Sequence, residues 1–277
     1  MKTTFIDTHC HLNFKRFHKT RGAVIQEAHN KGVGIFIVPG TDVISSQKAV
    51  EIAAAHEYIF AAVGIHPHHT YTTQHVPCSI QNDLMELEKL LVHPKVVAVG
   101  EVGLDAHAYE ETKYEDYKIS DEFIKAQKDY FIAQVRLAQK YKKALIIHNR
   151  ETKKELLAIL SAQWSTEMAY HTVFHCCEPD DELLEYAKAH NIYIGVDGDV
   201  TYGEEKAAFA KKIPLEMLVL ETDAPFLLPE PLRAQKLYPN TPANIPLIAQ
   251  CVADIKRISI EEVAMATTSN AKRLFSL

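Results

Sequence analysis

The sequence predicts a single (β/α)8 barrel, α/β in class, with its functional groups at the C-terminal ends of the strands. Three observations carry that reading. Eight short runs rich in Val and Ile recur along the 277 residues, with helically spaced segments between them. The runs are near-continuously apolar, as expected of parallel strands covered on both faces. No glycine-rich phosphate loop follows the first run, where a doubly wound open sheet would carry one. Barrels of this size form one domain, so residues 1–277 are expected to make a single unit.

In chain order, "FIDTH" (5–9) opens the barrel and "TRGAVIQEAHNKG" supplies its first helix. "VGIFIVPG" (33–40) with "DVISSQKAVEIAAAHE", and "IFAAVGIHP" (59–67) with "SIQNDLMELEKLLVH", repeat the unit. The fourth strand is "VVAVGEVGLD" (96–105), and the helix "DEFIKAQKDYFIAQVRLAQKYKK" leads to the fifth, "ALIIHNR" (144–150). The last three strands are "AYHTVFH" (169–175), "NIYIGVDG" (191–198) and "MLVLETDAP" (217–225), with "DDELLEYAKAHN" between the first two of them. Asp180 caps that helix, and Ser259 with Glu262 forms a capping box before the last helix. Two connections are long: 105–121 carries three tyrosines among charges, and 225–242 is proline-rich.

Bulk properties narrow the class. A hydrophobic fraction of 47% and a charged fraction of 24% are those of an ordinary globular protein. Thirty basic against 36 acidic residues give a formal charge of −6, which argues against a general polyanion-binding surface. A local site whose positive charge comes from bound divalent cations remains compatible with it. Five cysteines (Cys10, Cys78, Cys176, Cys177, Cys251) are an odd number without a C-x-x-C pair, which suits a reducing compartment. No apolar run approaches the ~20 residues of a membrane span, and no secretory leader is legible. A cytoplasmic enzyme or binding protein with no membrane association and no obligate protein partner is expected.

Fifteen histidines are the unusual feature, and their positions matter more than their number. Side chains at i, i+2 and i+4 of a strand share a face, so Asp7, His9 and His11 point one way if the strand continues to residue 11. Two imidazoles on one side can converge on a metal ion, imidazole being the commonest protein ligand. Glu101 ends the fourth strand, His148 the fifth, His175 the sixth and Asp223 the eighth. In a barrel, functional groups gather at these strand ends. Four imidazoles and two carboxylates suit two ions of the Zn, Mn or Ni type with a carboxylate bridging them. Such a pair can hold a hydroxide, polarise an electrophile and stabilise the leaving oxygen.

The motifs "DTHCHL" (7–12), "VGIHPH" (63–68), "VGEVGLD" (99–105), "IIHNR" (146–150), "FHCC" (174–177), "YIGVDGDVTYG" (193–203), "LETDAPFL" (220–227) and "SNAKRLF" (269–275) span nearly the whole chain. In this order they resemble the TatD family of metal-dependent hydrolases within the amidohydrolase superfamily. The resemblance implies that His9, His11 and Asp223 hold one metal and that His148 and His175 hold the second. Glu101 would bridge them, and Asp223 would also be the catalytic base for the attacking water. The metals are expected to be Zn, Mn, Ni or, with more water, Mg. The implied activity is hydrolysis of DNA phosphodiesters, often as a 3′-to-5′ exonuclease on single strands; some relatives are linked to removal of D-amino acids from tRNA. DNA, or tRNA in the alternative, is thus the expected partner.

Further residues are expected to meet substrate or to support the ligands. His66 follows the third strand and is a substrate-side residue by the resemblance, whereas His68 and His69 are expected at the surface. Arg150 can fork onto a phosphate oxygen or pair with a neighbouring carboxylate. Arg233, Lys236 and Asn240 fall where the family has an R…N-x-P pattern. Asp7 is expected to support a ligand histidine, and Cys10 and Cys176 to face away from the metals as structural thiols. Two features depart from the family. "HCCEP" places Cys177 and Glu178 where many relatives have small residues. The 105–121 loop carries Asp105, Glu110, Glu111, Glu115, Asp116 and Asp121 against Lys113 and Lys118. Tyr109, Tyr114 and Tyr117 either stack on bases or pin that loop to the surface. An acidic mouth favours the alternative activity, an ester or amide hydrolase such as a D-aminoacyl-tRNA deacylase. A non-catalytic metal-binding protein would not require the full ligand set with a base.

Overall fold

The structure, a computed structural model, describes residues 4–72, 79–112 and 114–277, so Cys78 and Lys113 lie outside the described residues. Eight parallel strands form one sheet in sequential order: β1 Phe5–Asp7, β2 Val33–Pro39, β3 Ile59–Val63, β4 Val96–Asp105, β5 Ala144–Arg150, β6 Thr172–Phe174, β7 Tyr193–Val196 and β8 Leu218–Leu220. Helices alternate with them: α1 Arg21–Asn30, α2 Val43–Ala54, α3 Ser79–Leu91, α4 Asp121–Tyr141, α5 Lys153–Gln163, α6 Asp181–His190, α7 Glu204–Lys212 and α8 Ile245–Lys256. A further helix, α9 Ile260–Phe275, follows. The (β/α)8 barrel is therefore as expected, with β1, β6 and β8 shorter than their apolar runs. No helix among the described residues is long and apolar enough to cross a membrane.

Strand alternation divides the core in two. Ile6, Ile37, Ala62, Ala98, Ile146, Val173 and Val219 face a cluster inside the barrel. Their neighbours, such as Phe5, Phe36, Val63, Ile147 and Leu220, face the layer beneath the helices. Helix α9 contributes Ala271, Leu274 and Phe275 to the inner cluster and so plugs the N-terminal end of the barrel. The functional residues sit at the opposite end.

Local chemistry sets the helix boundaries. Asp42 and Ser45 form a capping box at α2, and Ser259 and Glu262 form one at α9. Asp180 accepts from Glu182 N and Leu183 N at the start of α6, and Asn191 ends that helix in the left-handed conformation. Helix α4 does more than cover the sheet. Its Gln134 brackets the backbone of Ile65 through both amide atoms, at 2.7 and 3.1 Å. Gln127 brackets Asp105 in the same way, at 2.8 and 2.8 Å. Seven residues apart on one helix face, the two glutamines fix the ends of β3 and β4.

The seam between β8 and β1 lacks a regular ladder and closes through individual bonds. Thr8 N donates to Leu220 O at 3.0 Å, Asp223 N to His9 O at 2.9 Å, and His11 N to Ala224 O at 2.8 Å. Cys10 and Ala224 form an isolated parallel bridge.

If α9 is the plug, Leu274→Ala should destabilise the protein by about 2–5 kcal/mol, the usual cost of emptying a buried leucine site. Urea unfolding would read this, and an unchanged midpoint would place α9 outside the cooperative core.

Candidate metal centre

His9 and His11 lie just past β1, His66 past β3, Glu101 within β4, His148 within β5, His175 one residue past β6 and Asp223 three residues past β8. The barrel brings all of them to one end. His9 Nε2 and His11 Nε2 are 3.2 Å apart. Glu101 Oε2 lies 3.3 Å from the first and 3.6 Å from the second, and Asp223 Oδ1 lies 3.7 and 3.4 Å from them. A tetrahedral ion with ligands at about 2.0–2.2 Å separates its donor atoms by roughly 3.3–3.6 Å. His9, His11 and Glu101 therefore fit a single ion, and Asp223 Oδ1 lies within 3.7 Å of both imidazoles.

The other oxygen of Glu101 serves different neighbours. Oε1 is 2.8 Å from His148 Nδ1, 3.5 Å from His66 Nε2 and 3.7 Å from His175 Nε2. Glu101, His148 and His175 form a second group whose donor atoms are within ligating reach of one another. Glu101 is buried between the two groups with one oxygen turned to each.

Two carboxylates that the sequence reading did not single out for the site orient the imidazoles. Asp105 Oδ2 is 3.1 Å from His148 Nε2 and also accepts from Tyr109 Oη at 2.7 Å. Glu221 Oε1 is 2.9 Å from His175 Nδ1 and accepts from Cys176 N at 2.6 Å. Each faces the ring nitrogen that points away from Glu101, which turns His148 Nδ1 and His175 Nε2 toward Glu101 Oε1. Two glycines make room for this. At Gly103 (φ 151°) a Cβ would sit 1.9 Å from the His148 carbonyl oxygen, and at Gly195 a Cβ would sit 2.4 Å from Glu221 Oε1. The sequence held a signal for both acids: Asp105 shares strand parity with Glu101, and Glu221 with Asp223.

Burial alone would lower both imidazoles. Bonds to Asp105 and Glu101 instead hold His148 up at about 9, and the charges of Glu221 and Glu101 hold His175 up at about 10. Glu101 is also buried, yet the surrounding histidines keep its carboxyl well below the usual range. Asp223 is lowered likewise, by His11, His175 and His9 against its own burial. Burial lowers His9 and His66.

A cleft of 540 Å³ opens over these groups, lined by His11, His66, Glu101, His148, His175 and Asp223 together with Phe14, Tyr109, Arg150, Cys176, Glu178, Asp199, Lys206 and Phe226. Arg150 lines it and donates to Tyr109 Oη at 3.2 Å, rather than pairing with a carboxylate. His68 and His69, expected at the surface, are half-buried: His68 stacks on Tyr109, and His69 Nδ1 is 2.9 Å from Tyr114 Oη. Tyr71, Tyr114, Tyr117 and Phe123 continue this aromatic cluster and pin the 105–121 loop.

Other expected residues lie elsewhere. Asn240 is wholly buried and donates to Thr222 O and Leu227 O at 2.8 and 3.2 Å, which braces the chain behind Asp223. Arg233 stacks over Tyr202 at 4.3 Å, near Glu230, and like the exposed Lys236 is not part of the cleft wall. Asp7 supports backbone rather than an imidazole: it accepts from His9 N, Thr222 N and Thr222 Oγ1 at 3.2, 3.1 and 2.6 Å. Cys10 is buried and directed to Ile37 O, away from the centre. Cys176 does not face away. Strand β6 ends at Phe174, and Cys176 takes a φ of 44°, so strand alternation no longer governs it and it joins the cleft wall.

The family model described as TatD related DNase matches residues 6–276. An uncharacterized metal-dependent hydrolase of Bacillus subtilis, YabD, is 32% identical over 98% of both chains. The 3'-5' ssDNA/RNA exonuclease TatD of Escherichia coli is 30% identical over 98% of both. The solved structure of YjjV, a TatD homologue from Escherichia coli, superposes with a TM-score of 0.84 at 29% identity over the whole of both chains.

Two outcomes follow from the acids behind the imidazoles. Gly195→Ala should push Glu221 off His175 and weaken metal retention roughly 10–100-fold, the usual effect of losing such a support. Chelator competition on the folded variant measures it, and unchanged retention would remove Glu221 from this role. The raised His148 and His175 also make the metal-free protein pH-dependent. Their folded values exceed the reference 6.5, so their stabilisation is complete below 6.5 and is lost as pH rises through about 9 and 10. Thermal melts in chelator should show that alkaline decline, and a flat profile would contradict the paired, protonated imidazoles.

Proposed function

The chain belongs to the TatD family of metal-dependent hydrolases, and from that premise we propose that it cleaves single-stranded DNA as a 3′-to-5′ exonuclease at two divalent ions. The split of Glu101 carries the reading, since one oxygen faces His9 and His11 while the other faces His148 and His175. His9, His11 and Asp223 would hold one ion, His148 and His175 the other, with Glu101 between them. Zn, Mn, Ni or Mg suit this set of nitrogen and oxygen donors. Bound there, the ions supply Lewis acidity toward a phosphoryl oxygen and make water acidic enough to attack near neutral pH.

The chain's own groups supply the remainder. Asp223 is ionised beside the imidazoles and is the group placed to take the proton of the attacking water. His66 is lowered by burial and neutral, and it faces the Oε1 side of Glu101, where it can hydrogen-bond a phosphoryl oxygen. Arg150 is held by Tyr109 on the cleft wall and presents a planar fork to a neighbouring phosphate. Phe14 and the half-exposed Phe226, with ring centroids 6.2 Å apart, offer faces on which a base can stack. A cleft of 540 Å³ has the size of a small-molecule site, which favours a chain end over a duplex.

One observation favours a second reading. Glu178 and Asp199 lie on the cleft wall; Asp199 is paired with Lys206, and Glu178 repels phosphates and attracts a cation. The free amino group of an aminoacyl ester is such a cation, so a D-aminoacyl-tRNA deacylase uses the same centre on a carboxylic ester.

A metal-loaded sample tested on a 5′-labelled single-stranded oligonucleotide and on a D-aminoacyl-tRNA separates the two. Shortening of the oligonucleotide from its 3′ end is expected, with Asp223→Asn lowering kcat by about 10²–10⁴. Deacylation without shortening would replace the first reading by the second. Undiminished nuclease activity in Asp223→Asn would sink the assignment of the base.

A further inference from the structure

Beyond His175, the cleft wall carries a second set of metal donors that the centre around Glu101 does not use. Cys176, Asp197 and Asp199 each offer one donor atom, and the three atoms lie within 4.8 Å of one another. Cys176 follows β6, while Asp197 and Asp199 follow β7 at a short 3-10 turn, Gly198–Thr201. Cys176 and Asp199 line the cleft, so the group is open to ions from solution.

Two features of the group lack an explanation within it. Asp197 is 1% exposed and its Oδ1 accepts from Asp199 N at 2.9 Å, but its Oδ2 is buried without a hydrogen-bond partner. A buried carboxylate oxygen left in that state is costly unless a cation or donor meets it. The two carboxylates also crowd one another. Asp197 and Asp199 face the single ammonium of Lys206, whose Nζ is 2.9 Å from Asp199 Oδ2 and donates to Cys177 O at 3.2 Å. Burial and the neighbouring Asp197 push Asp199 up to about 7. A divalent cation at this group would take the place of the proton that Asp199 otherwise holds.

We propose that Cys176, Asp197 and Asp199 bind an additional divalent cation of the zinc class, separate from the Glu101 centre. One sulfur with two carboxylates selects zinc over magnesium or calcium, because thiolate is a soft ligand. Binding forms a sulfur–metal bond, and the thiol proton leaves to solvent. The ion satisfies Asp197 Oδ2. Lys206 competes with it for Asp199, so removing the ammonium strengthens the site. Filled, the group turns its carboxylates to the ion rather than to a substrate on the wall that Glu178 and Asp199 otherwise make acidic.

Cobalt(II), a spectroscopic substitute for zinc, tests this on the full chain. A thiolate ligand gives cobalt an intense near-ultraviolet charge-transfer band, and the Glu101 centre offers only nitrogen and oxygen donors. The band is therefore independent of the fate of that centre and of the proposed nuclease activity. Titration should produce the band in the wild-type protein and zinc should displace it. Cys176→Ser should abolish it, Asp197→Asn and Asp199→Asn should weaken cobalt affinity at least tenfold, and Lys206→Met should tighten it. Absence of the band in folded wild-type protein overturns the site, as does a band indifferent to Cys176→Ser or to both aspartate substitutions. Should Cys176→Ser misfold, the aspartate variants decide, since asparagine keeps the side-chain shape and the acceptor at Asp197.

Discussion

Asp7 is wholly buried and accepts hydrogen bonds from the backbone of His9, from the backbone of Thr222 and from the Thr222 hydroxyl. These bonds tie the end of the first strand to the end of the last, where the sheet has no regular ladder. Bonds of a carboxylate to neutral donors are each worth about 1.5–3 kcal/mol when both partners are buried, and losing one strands the other. The cost is visible in the carboxyl itself, which burial pushes up to about 7 against the pull of its three donors. His9 and His11 arrive from one side of this seam and Asp223 from the other. The proposed first metal site therefore exists only if the barrel closes in this register.

The rest of the site depends on the same logic of buried polar groups that fix backbone before any ligand is placed. Gln134 and Gln127 hold the ends of the third and fourth strands, and Asn240 holds the chain behind Asp223. Asp105 and Glu221 then set the ring orientations of His148 and His175. None of these side chains needs to meet substrate. Together they keep four imidazoles and two carboxylates converging, although like charges crowd the space and the histidines share protons with the acids.

Much of this was legible in the sequence because it is periodic. Eight apolar runs, two capping signals and the spacing of His9, His11, Glu101, His148, His175 and Asp223 along the strand ends required no three-dimensional knowledge beyond the barrel. Residues whose role depends on long-range partners were less legible. Asp105 reads as the first acid of a charged loop until its carboxylate is seen to meet His148 and Tyr109, and Asn240 reads as a polar loop residue until its amide is seen to be spent on Thr222 and Leu227. Strand alternation misplaced Cys176 because the strand ends two residues earlier and the backbone turns left-handed. Periodicity carries information only as far as the regular element runs.

The same limit separates the chemistry of the centre from the choice of substrate. The proposed ligands stand on or next to strands, where position follows from register. The walls of the cleft come from connections: Phe14 after β1, Tyr109 after β4, Glu178 after β6, Asp199 after β7 and Phe226 after β8. Their side chains are placed by local turns and by one another, as when His68 stacks on Tyr109 and Tyr109 holds both Asp105 and Arg150. A change in one connection can therefore alter which molecule enters while the proposed metal ligands stay fixed by the barrel. In this chain the cleft wall gives contrary signs, with Arg150 at the end of β5 and the aromatic rings suited to a nucleotide and Glu178 and Asp199 opposed to its phosphates. A bound cation at the acidic wall would resolve that conflict, since the charge facing the substrate would then depend on the ion held there as much as on the residues encoded.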